Sequence, residues 1–395
     1  MKQATIIDVY SRGNYHEVIN TAYLMMIASL YDQVTYIAAD SACYSMRQML
    51  ASLSFSASNI SFQEKTFSEA EVKKTSANKF GERLKYSWLK YYYYMKQPAG
   101  TDVFFNNNLF LAITFLSWFS FGKKNRIFSL CHSEMEVINP AEATRFSKKV
   151  SAWYFGWVFR HTHISERFCF ILLSDAMKEY FLRFTAPQNI ARVQSIDHAY
   201  LRPDNPLKES FSVPVLSRQD SVKIGLPSIL NSDHGLDFFK QILVATAASN
   251  VSFYGISLVA EELSSENFVN LNPGDKLMDY DTYNAYLCCM DLLLFPYASD
   301  SYKLTASGAF LEAIWNGIPI IALHNQYFDS LFSRFGAMGF LFDDQESLVV
   351  FLTKVDTTRP DFVQQMEIFR QNMSKAKVSL HPDQVILQLA RVLQP

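Results

Sequence analysis

The chain has 395 residues, enough for two domains with hydrophobic cores of their own. Hydrophobic residues make up 49% of it and charged residues 19%, a balance typical of globular proteins that excludes a disordered chain. The first 200 residues carry six more basic than acidic residues, and the remainder carries eight more acidic ones, which predicts two lobes of opposite sign. The basic excess is small and no nucleic-acid-binding motif accompanies it, so nucleic acid is not an expected partner.

The cysteines and the first segment of the chain indicate the compartment. Five cysteines, an odd number without metal-ligand spacing, are typical of reduced thiols in the cytosol. The N-terminus runs into a strand-like segment, and no apolar stretch reaches the roughly 18 residues that a membrane span needs. We therefore expect a cytoplasmic protein, with peripheral attachment to the inner face of the membrane as the alternative.

Apolar runs that alternate with helical patterns predict a parallel sheet in residues 1–200. The chain opens with a strand, a loop over residues 11–15, a helix to about residue 31 and a second strand, which is a βαβ unit. Further strands are predicted at TDVFFNN, RIFSLCHSE and RFCFILLS. Residues 1–200 should therefore form a doubly wound, Rossmann-like domain.

A proline-containing, polar segment over residues 201–220 predicts a linker. The alternation then resumes through residues 221–395. Predicted strands are SVKIGLPS, VSFYGIS and NFVNLNP, and predicted helices cover Gly235–Ser249 and Tyr280–Met290. The fold class is thus α/β, with two Rossmann-like doubly wound domains facing a cleft.

The segment DLLLFPYASDSYKLTASGAFLEAIWNGIPIIAL, residues 291–323, predicts a strand, a helix over Gly308–Asn316 and another strand. Thr305 and Ser307 are N-capping residue types, and Gly317 suits the helix C-terminus. Small residues at the helix start leave backbone N–H groups at the positive end of the helix dipole. That arrangement favours a phosphate.

Glu312 adds a second indication to this helix. Helical side chains lean toward the N-terminus over the residue four positions earlier, here Gly308, which has no side chain to obstruct Glu312. A carboxylate accepts hydrogen bonds from two sugar hydroxyls, so phosphate and ribose of a nucleotide would fit together. The alternative is a surface glutamate on an ordinary helix of a parallel sheet.

The sequence FLEAIWNGIPIIAL resembles the donor-binding motif of GT-B glycosyltransferases of the retaining family-4 kind. VKIGLPSILNSDHGLDFF, NVSFYGIS and TYNAYLCCMDLLLFPY are similar to the preceding parts of that domain, and RFCFILLSDAMKEYF and SIDHAYL to parts of the first domain. The resemblance implies transfer of a hexose from a nucleotide-diphosphate sugar donor, bound by the second domain. It also implies a glycan or lipid-linked acceptor bound by the first, in surface polysaccharide synthesis.

The chain departs from the family at the donor site. The family has an acid eight residues before its conserved glutamate, where this chain has Leu304. The loop that holds an Arg and a Lys in the family offers only His234. We expect Lys303 to supply the charge for the diphosphate, with backbone N–H groups of Ser307–Gly308, although an ordinary surface lysine is the alternative.

No cofactor and no metal are predicted. Asp279 and Asp281 have the spacing of a metal-binding pair, but they precede a predicted helix as DYDTYNAYL, where Asp281 or Thr282 serves equally well as an N-cap. Asp343 and Asp344 precede another helix in the same way. Both pairs are interpreted as caps.

Two histidines are candidate catalytic residues in the first domain. His132 follows the predicted strand RIFSLCHSE at the carboxyl end of the sheet, where ligands of open α/β sheets bind. His16 follows the loop of the first strand, beside Gly13. Either histidine could act as a base or hydrogen-bond a sugar, or be merely structural.

Aromatic residues are dense between Tyr86 and Phe159, where they alternate with lysines, as in YSWLKYYYYMK. Such a segment fits an anionic membrane surface, which would suit a lipid-linked acceptor. Burial of the same aromatic side chains in the core is the alternative.

Two other function classes stay open at this stage. The missing first acid and the missing Arg/Lys pair suit a catalytically degenerate binding or assembly protein. A GT-B-like sugar-nucleotide epimerase would need a further acid/base set, which the sequence does not provide.

Overall fold

The computed structural model describes residues 1–13, 16–66, 80–106, 110–119, 122–132, 134–138, 146–203, 221–274, 276–299 and 302–394. The chain divides into two compact units. Unit 1 comprises Met1–Asp204, Lys303–Ala306 and Leu380–Pro395, and unit 2 comprises Asn205–Tyr302 and Ser307–Ser379.

Unit 1 is built on a seven-stranded sheet with the strand order β3-β2-β1-β4-β5-β6-β7, in which all paired strands are parallel. Its elements in chain order are β1 (Gln3–Asp8), α1 (Glu17–Leu30), β2 (Gln33–Ala39), α2 (Asp40–Ser52), β3 (Ile60–Lys65), α3 (Phe80–Met95), β4 (Asp102–Phe105), α4 (Phe110–Phe119), β5 (Ile127–Cys131), α5 (Phe146–His161), β6 (Phe168–Leu172), α6 (Asp175–Leu182) and β7 (Val193–Ser195).

Unit 2 is built on a six-stranded parallel sheet with the strand order β10-β9-β8-β11-β12-β13. Its elements are β8 (Val222–Leu226), α7 (Leu236–Ala245), β9 (Val251–Gly255), β10 (Phe268–Asn270), α8 (Tyr280–Cys288), β11 (Leu292–Phe295), α9 (Gly308–Asn316), β12 (Ile320–Leu323), α10 (Gln326–Phe335), β13 (Gly339–Phe342), α11 (Gln345–Lys354) and α12 (Pro360–Ser379).

The strands form because their apolar runs are buried on both faces of each sheet. Every residue of β11 and β12 is buried, and so is every residue of β4 and β5. Helices on both sides are what make such continuous runs stable in parallel sheets. The prediction of two doubly wound α/β domains is confirmed.

The C-terminal helix α13 (Pro382–Val392) clusters with unit 1, whereas the sequence pattern placed it with the second half. It packs against α1, and Arg126 of unit 1 donates a hydrogen bond to the carbonyl of Leu393 at 2.9 Å. Asp197 and Gln388 exchange two further hydrogen bonds of 2.7 Å each. The alternation of strand and helix patterns in the sequence predicts the order of the elements, but it does not predict against which sheet the last helix packs.

Of the predicted linker, residues 201–220, only 201–203 lie inside the described part of the chain. Among the helices that the structure describes, none is long and apolar enough to cross a membrane.

Candidate functional site

The N-terminus of α9 is built as the sequence predicts. Ser307 is the N-cap residue, and its hydroxyl accepts a hydrogen bond from the N–H of Phe310 at 3.2 Å. Within the described residues, the N–H groups of Gly308 and Ala309 have no hydrogen-bond partner, as is usual for the first turn of a helix. The helix ends at Gly317, whose positive φ of 66° is the left-handed conformation that favours glycine. This terminus can therefore hold an anion.

Glu312 lies one turn into α9 and is almost buried, with 8% of its surface exposed. Side chains of an α-helix lean toward its N-terminus, and the residue four positions before Glu312 is Gly308, which has no side chain. A carboxylate at this position of a helix can accept hydrogen bonds from hydroxyl groups of a ligand.

The carboxyl ends of β8 and β11 are the point at which the strand order of unit 2 reverses, the usual ligand site of such sheets. At Gly235, where α7 begins, φ is +81° and an added Cβ would lie 1.8 Å from the carbonyl oxygen of Pro296. Only glycine fits there. The ring of the neighbouring His234 lies 5.9 Å from that of Tyr297, so His234 does lie at this edge.

Two tyrosines at the same edge were not singled out in the sequence. The rings of Tyr297 and Tyr302 are 4.7 Å apart, and the ring of Tyr302 is stacked 6.3 Å from Phe328. Tyr302 has a φ of 60°, a conformation that a bulky residue adopts at a cost. A positive φ at a tyrosine has no sequence signature.

The segment 303–305, immediately before α9, is held by Glu136 of the 3-10 helix Glu134–Ile138. The Glu136 carboxylate accepts hydrogen bonds from the N–H of Lys303 at 3.1 Å, the N–H of Leu304 at 2.8 Å and the Thr305 hydroxyl at 2.8 Å. Thr305 thus binds Glu136, and Ser307 alone caps α9. Glu136 and residues 303–305 belong to unit 1, whereas Ser307 belongs to unit 2.

Lys303 and Leu304 face different surroundings within this segment. The Lys303 ammonium lies over the ring of Tyr180, 5.6 Å from its centroid. Leu304 is buried, with 1% exposed, which explains why no acid stands there: an ionised carboxylate would lose its hydration.

Three histidines come together at the carboxyl edge of the unit 1 sheet. The rings of His16 and His132 are 5.7 Å apart, and those of His132 and His198 are 6.1 Å apart. Tyr23 of α1 lies beside them, 6.1 Å from His132 and 6.4 Å from His198. The sequence predicted the first two but not His198, whose only signal is its place three residues after β7.

Burial lowers the pKa of each of these histidines. The pKa of His132 falls well below its usual value, because of burial first and then of His16, His198 and the Lys90 charge. Burial lowers the pKa of His16, against an opposing effect of Asp8, and lowers that of His198 to about 4. The three imidazoles are therefore neutral near pH 7, able to accept a proton or a hydrogen bond.

Asn106 is the first residue after β4, the strand between β1 and β5, so it lies between the segments that carry His16 and His132. It is 4% exposed, and in the described part of the chain neither its amide oxygen nor its amide nitrogen has a hydrogen-bond partner. Nearby Asp8, by contrast, is saturated, since it binds Asn20 and Tyr36 at 2.9 Å each. A buried amide without partners is costly, which makes Asn106 a candidate for contact with a ligand.

Each acid pair supplies one helix cap. In the first pair the cap is Asp279, whereas the sequence pointed to Asp281 or Thr282, which lie inside α8; in the second pair it is Asp344. Asp279 accepts a hydrogen bond from the N–H of Thr282 at 3.0 Å, and Asp344 from that of Ser347 at 2.7 Å. These bonds lower the pKa of both aspartates.

Comparison with known proteins extends these observations. No protein-family model matches the sequence, and no curated protein sequence does either. Solved structures match over nearly the whole chain. Anabaena HepE, crystallised with UDP and glucose, has a TM-score of 0.61 at 12% identity and covers 99% of both chains.

Two further structures show the range of the match. The Escherichia coli trehalose-6-phosphate protein bound with UDP-2-fluoro glucose has a TM-score of 0.64 at 9% identity, covering 100% of this chain and 99% of that one. A putative UDP-N-acetylglucosamine 2-epimerase from Listeria monocytogenes has a TM-score of 0.53 at 10% identity, covering 98% and 95%. The chain has the fold that these proteins share, the GT-B architecture predicted from its sequence.

Proposed function

We propose that the protein is a glycosyltransferase that moves a hexose from a nucleotide-diphosphate sugar to a glycan or lipid-linked acceptor in surface polysaccharide synthesis. Unit 2 binds the donor and unit 1 the acceptor. The observation that carries the proposal is the start of α9, where Ser307 caps the helix before Gly308 and the nearly buried Glu312 follows one turn later.

This geometry suits the leaving group of the reaction. Breaking the bond between sugar and phosphate leaves a diphosphate with additional negative charge, which the enzyme must bind more strongly than it binds the substrate. The N–H groups of α9 supply fixed positive dipoles for it, and Glu312 binds the ribose hydroxyls. This proposal needs no metal.

Lys303 remains the proposed cation for the diphosphate, with His234 at the same sheet edge. Its backbone is fixed by Glu136, while its ammonium lies over Tyr180. The role therefore requires another rotamer of a side chain with four rotatable bonds. A cation–π contact of roughly 0.5–2 kcal/mol is weak enough to exchange for a phosphate.

In unit 1, His132 and His16 are proposed to bind the acceptor and to take its proton. Their lowered pKa values keep both imidazoles neutral, which is the form that accepts a proton. His198 packs against His132 and would position it.

The structural neighbours support this choice of donor, since HepE was crystallised with UDP and glucose, and the E. coli protein with UDP-2-fluoro glucose. The Listeria neighbour, named as an epimerase, shows that the fold alone leaves the reaction open. The function must therefore be tested on the site.

The direct test is thermal unfolding with a panel of nucleotide-diphosphate sugars. The correct donor at a hundred times its Kd should stabilise the protein by about 2.7 kcal/mol, which raises Tm by roughly 5–10 °C. That donor is then incubated with acceptor extracts, and sugar transfer is measured. Protection without transfer would favour a degenerate binding protein, and a changed sugar that stays on the nucleotide would favour an epimerase. Lack of protection by any nucleotide would refute the proposal.

Membrane contact through unit 1 is the second part of the proposal. Four of the five tryptophans are exposed, at 53% for Trp88, 42% for Trp118, 65% for Trp153 and 37% for Trp157. We call these four residues the tryptophan surface. The rings of Trp118 and Trp157 are 6.1 Å apart, which brings α4 and α5 together in it.

The spacing of this surface suits a helix lying on a membrane. Lys149, Trp153 and Trp157 follow one another at intervals of four on α5, so they share one face, and all three are exposed. Residues 146–163 include Lys148, Lys149 and Arg160 and no acid. Tryptophans flanked by basic residues fit the headgroup region of an anionic bilayer. The protein would then meet a lipid-linked acceptor at the inner face of the membrane.

A further inference from the structure

One face of the first three strands of unit 1 is polar, which is unusual in a parallel sheet. The opposite face carries Ile6, Tyr36 and Phe62 and is covered by α1 and α2. The polar face carries Gln3 and Thr5 on β1, Gln33 and Thr35 on β2, and Gln63 and Lys65 on β3, with Ile37 of β2 as an apolar residue among them. Strands of parallel sheets are normally apolar on both faces, because helices bury both. Here polar and apolar residues alternate along the strands, as they do in a sheet with one face exposed to water.

This polar face forms the floor of a groove of about 450 Å³. The end of α3 and the loop that follows it make one wall, with Tyr93, Lys96, Gln97, Pro98 and Thr101. The volume lies in the range of small-molecule sites, about 300–1,000 Å³. Lys65, the last residue of β3, lies at the carboxyl edge of the sheet on its outermost strand. Since β1 rises about 3.3 Å per residue, Gln3 at the other end of the floor is roughly 17 Å from that edge. The groove therefore runs along the strands, away from the edge where the histidines lie.

Hydrogen bonds hold several of the lining side chains in place. Gln3 donates to the Gln33 side-chain oxygen at 3.2 Å, and the Thr5 hydroxyl donates to the Gln97 oxygen at 2.8 Å. The Gln97 nitrogen is in turn bound to the carbonyl of Tyr93 at 2.8 Å. Thr101 is 3% exposed, and its hydroxyl has no partner in the part of the chain that the structure describes. Amide and hydroxyl groups fixed in this way are suited to the hydroxyls of a sugar chain.

The charged residues of the groove indicate which kind of sugar chain it would bind. Two lysines, Lys65 and Lys96, line it, and no carboxylate occurs among the described residues that do so. We propose that the groove binds an acidic oligosaccharide, one with carboxylate groups along a hydroxyl-rich chain. Its lysines meet the carboxylates, and its glutamines and threonines meet the hydroxyls.

Such a groove would hold a polymeric acceptor several sugars away from its reacting end. That role rests on the proposed function, whereas binding of the oligosaccharide does not. The test therefore measures binding alone, by calorimetry with the full chain and with no nucleotide present. The probes are a hexamer of galacturonic acid, maltohexaose as the neutral chain and inorganic phosphate as a simple anion.

We expect the galacturonate hexamer to bind at least about tenfold more tightly than maltohexaose or phosphate. The Lys65→Ala/Lys96→Ala variant should lose that preference, and Gln63→Ala should weaken both oligosaccharides. The matched control is Lys124→Ala/Lys354→Ala, which removes the same charge outside the groove and should bind as the parent does. Equal binding of the two oligosaccharides, or an unchanged Lys65→Ala/Lys96→Ala variant, would overturn the proposal.

Thermal unfolding of the same variants with the nucleotide-sugar donor distinguishes failure of the groove proposal from failure of the proposed function. Groove variants should show the parent's Tm rise with the donor. If the donor does not raise the Tm of the parent protein, the proposed transferase function is refuted, but the binding result for the groove still stands.

Discussion

The Glu136 carboxylate accepts a hydrogen bond from the backbone N–H of Leu304 at 2.8 Å. Leu304 stands at the position where the glycosyltransferases that this chain resembles have an acid. Glu136, an acid distant in sequence, binds the backbone of that residue. Together with its bonds to Lys303 and Thr305, this contact fixes the segment two residues before α9 begins. Glu136 therefore fixes the backbone through which the chain enters α9.

Replacing Glu136 by alanine should release this segment. Loss of charge-assisted hydrogen bonds should lower the free energy of unfolding by about 1–3 kcal/mol, measured by urea denaturation. Donor affinity should fall as well, because the backbone that leads into α9 is no longer fixed. Glu136→Gln retains one carbonyl acceptor and should lose less. Glu262→Ala, which removes an exposed acid of unit 2, is the control, and an equal effect there would contradict the role of Glu136.

Glu312→Ala should weaken donor binding by roughly tenfold to a hundredfold, because a carboxylate that accepts ribose hydroxyls is lost. Calorimetry with the donor and its 2′,3′-dideoxy analogue tests the assignment. The parent should bind the analogue weakly, whereas the variant should bind both alike, as expected when the two changes remove one interaction. Unchanged donor affinity in the variant would refute the ribose role.

The fold and the bounds of α9 could be predicted from the sequence because both depend on local patterns. Apolar runs gave the strands, and Ser307 and Gly317 gave the bounds of α9. Glu136 could not be found in this way, because its partners are backbone groups 167–169 residues later in the chain. His198 and Asn106 were missed for a related reason. Their significance lies in burial and in missing or shared partners, which only the folded sheet brings about.

His198 should make the protein sensitive to mild acid. Its pKa is lowered to about 4 in the folded state, so the unfolded chain binds the proton more readily between that value and the ordinary 6.5. Stability due to this histidine is therefore complete above about pH 6.5 and is lost as the pH falls toward 4. The loss amounts to about 3 kcal/mol at pH 4 relative to pH 7.

Urea denaturation of the parent and of His198→Gln at several pH values measures this effect. The variant should be less stable at pH 7 but should lose less stability between pH 6.5 and 4. Parallel pH profiles for the two proteins would show that His198 does not titrate as described.

Asn106→Leu should separate stability from function. The buried amide has no partner within the described residues, so an apolar side chain of similar size should leave Tm unchanged or raise it. If Asn106 binds a substrate, transfer should nevertheless fall, mainly through a higher KM for the acceptor. Asn189→Leu is the matched control: the Asn189 amide binds two carbonyls and the N–H of Ile164, so this change should lower Tm. A fall in Tm for Asn106→Leu would indicate a structural role instead.

The tryptophan surface should decide whether the protein binds membranes. Removing two aromatic rings that insert among headgroups costs about 1.5–3 kcal/mol each, so Trp153→Ala/Trp157→Ala should lower partitioning to anionic liposomes more than tenfold. Co-sedimentation at low and high salt measures this, and salt should release the parent because lysines contribute to binding. Trp153 is 65% exposed, so Trp153→Ala alone should leave Tm nearly unchanged, whereas loss of Trp157, which packs against Trp118, should lower it. Trp153→Phe/Trp157→Phe should retain most of the binding. Parent protein that stays in the supernatant with anionic liposomes at low salt would end the membrane proposal, while binding equal to that of neutral liposomes would remove its electrostatic part.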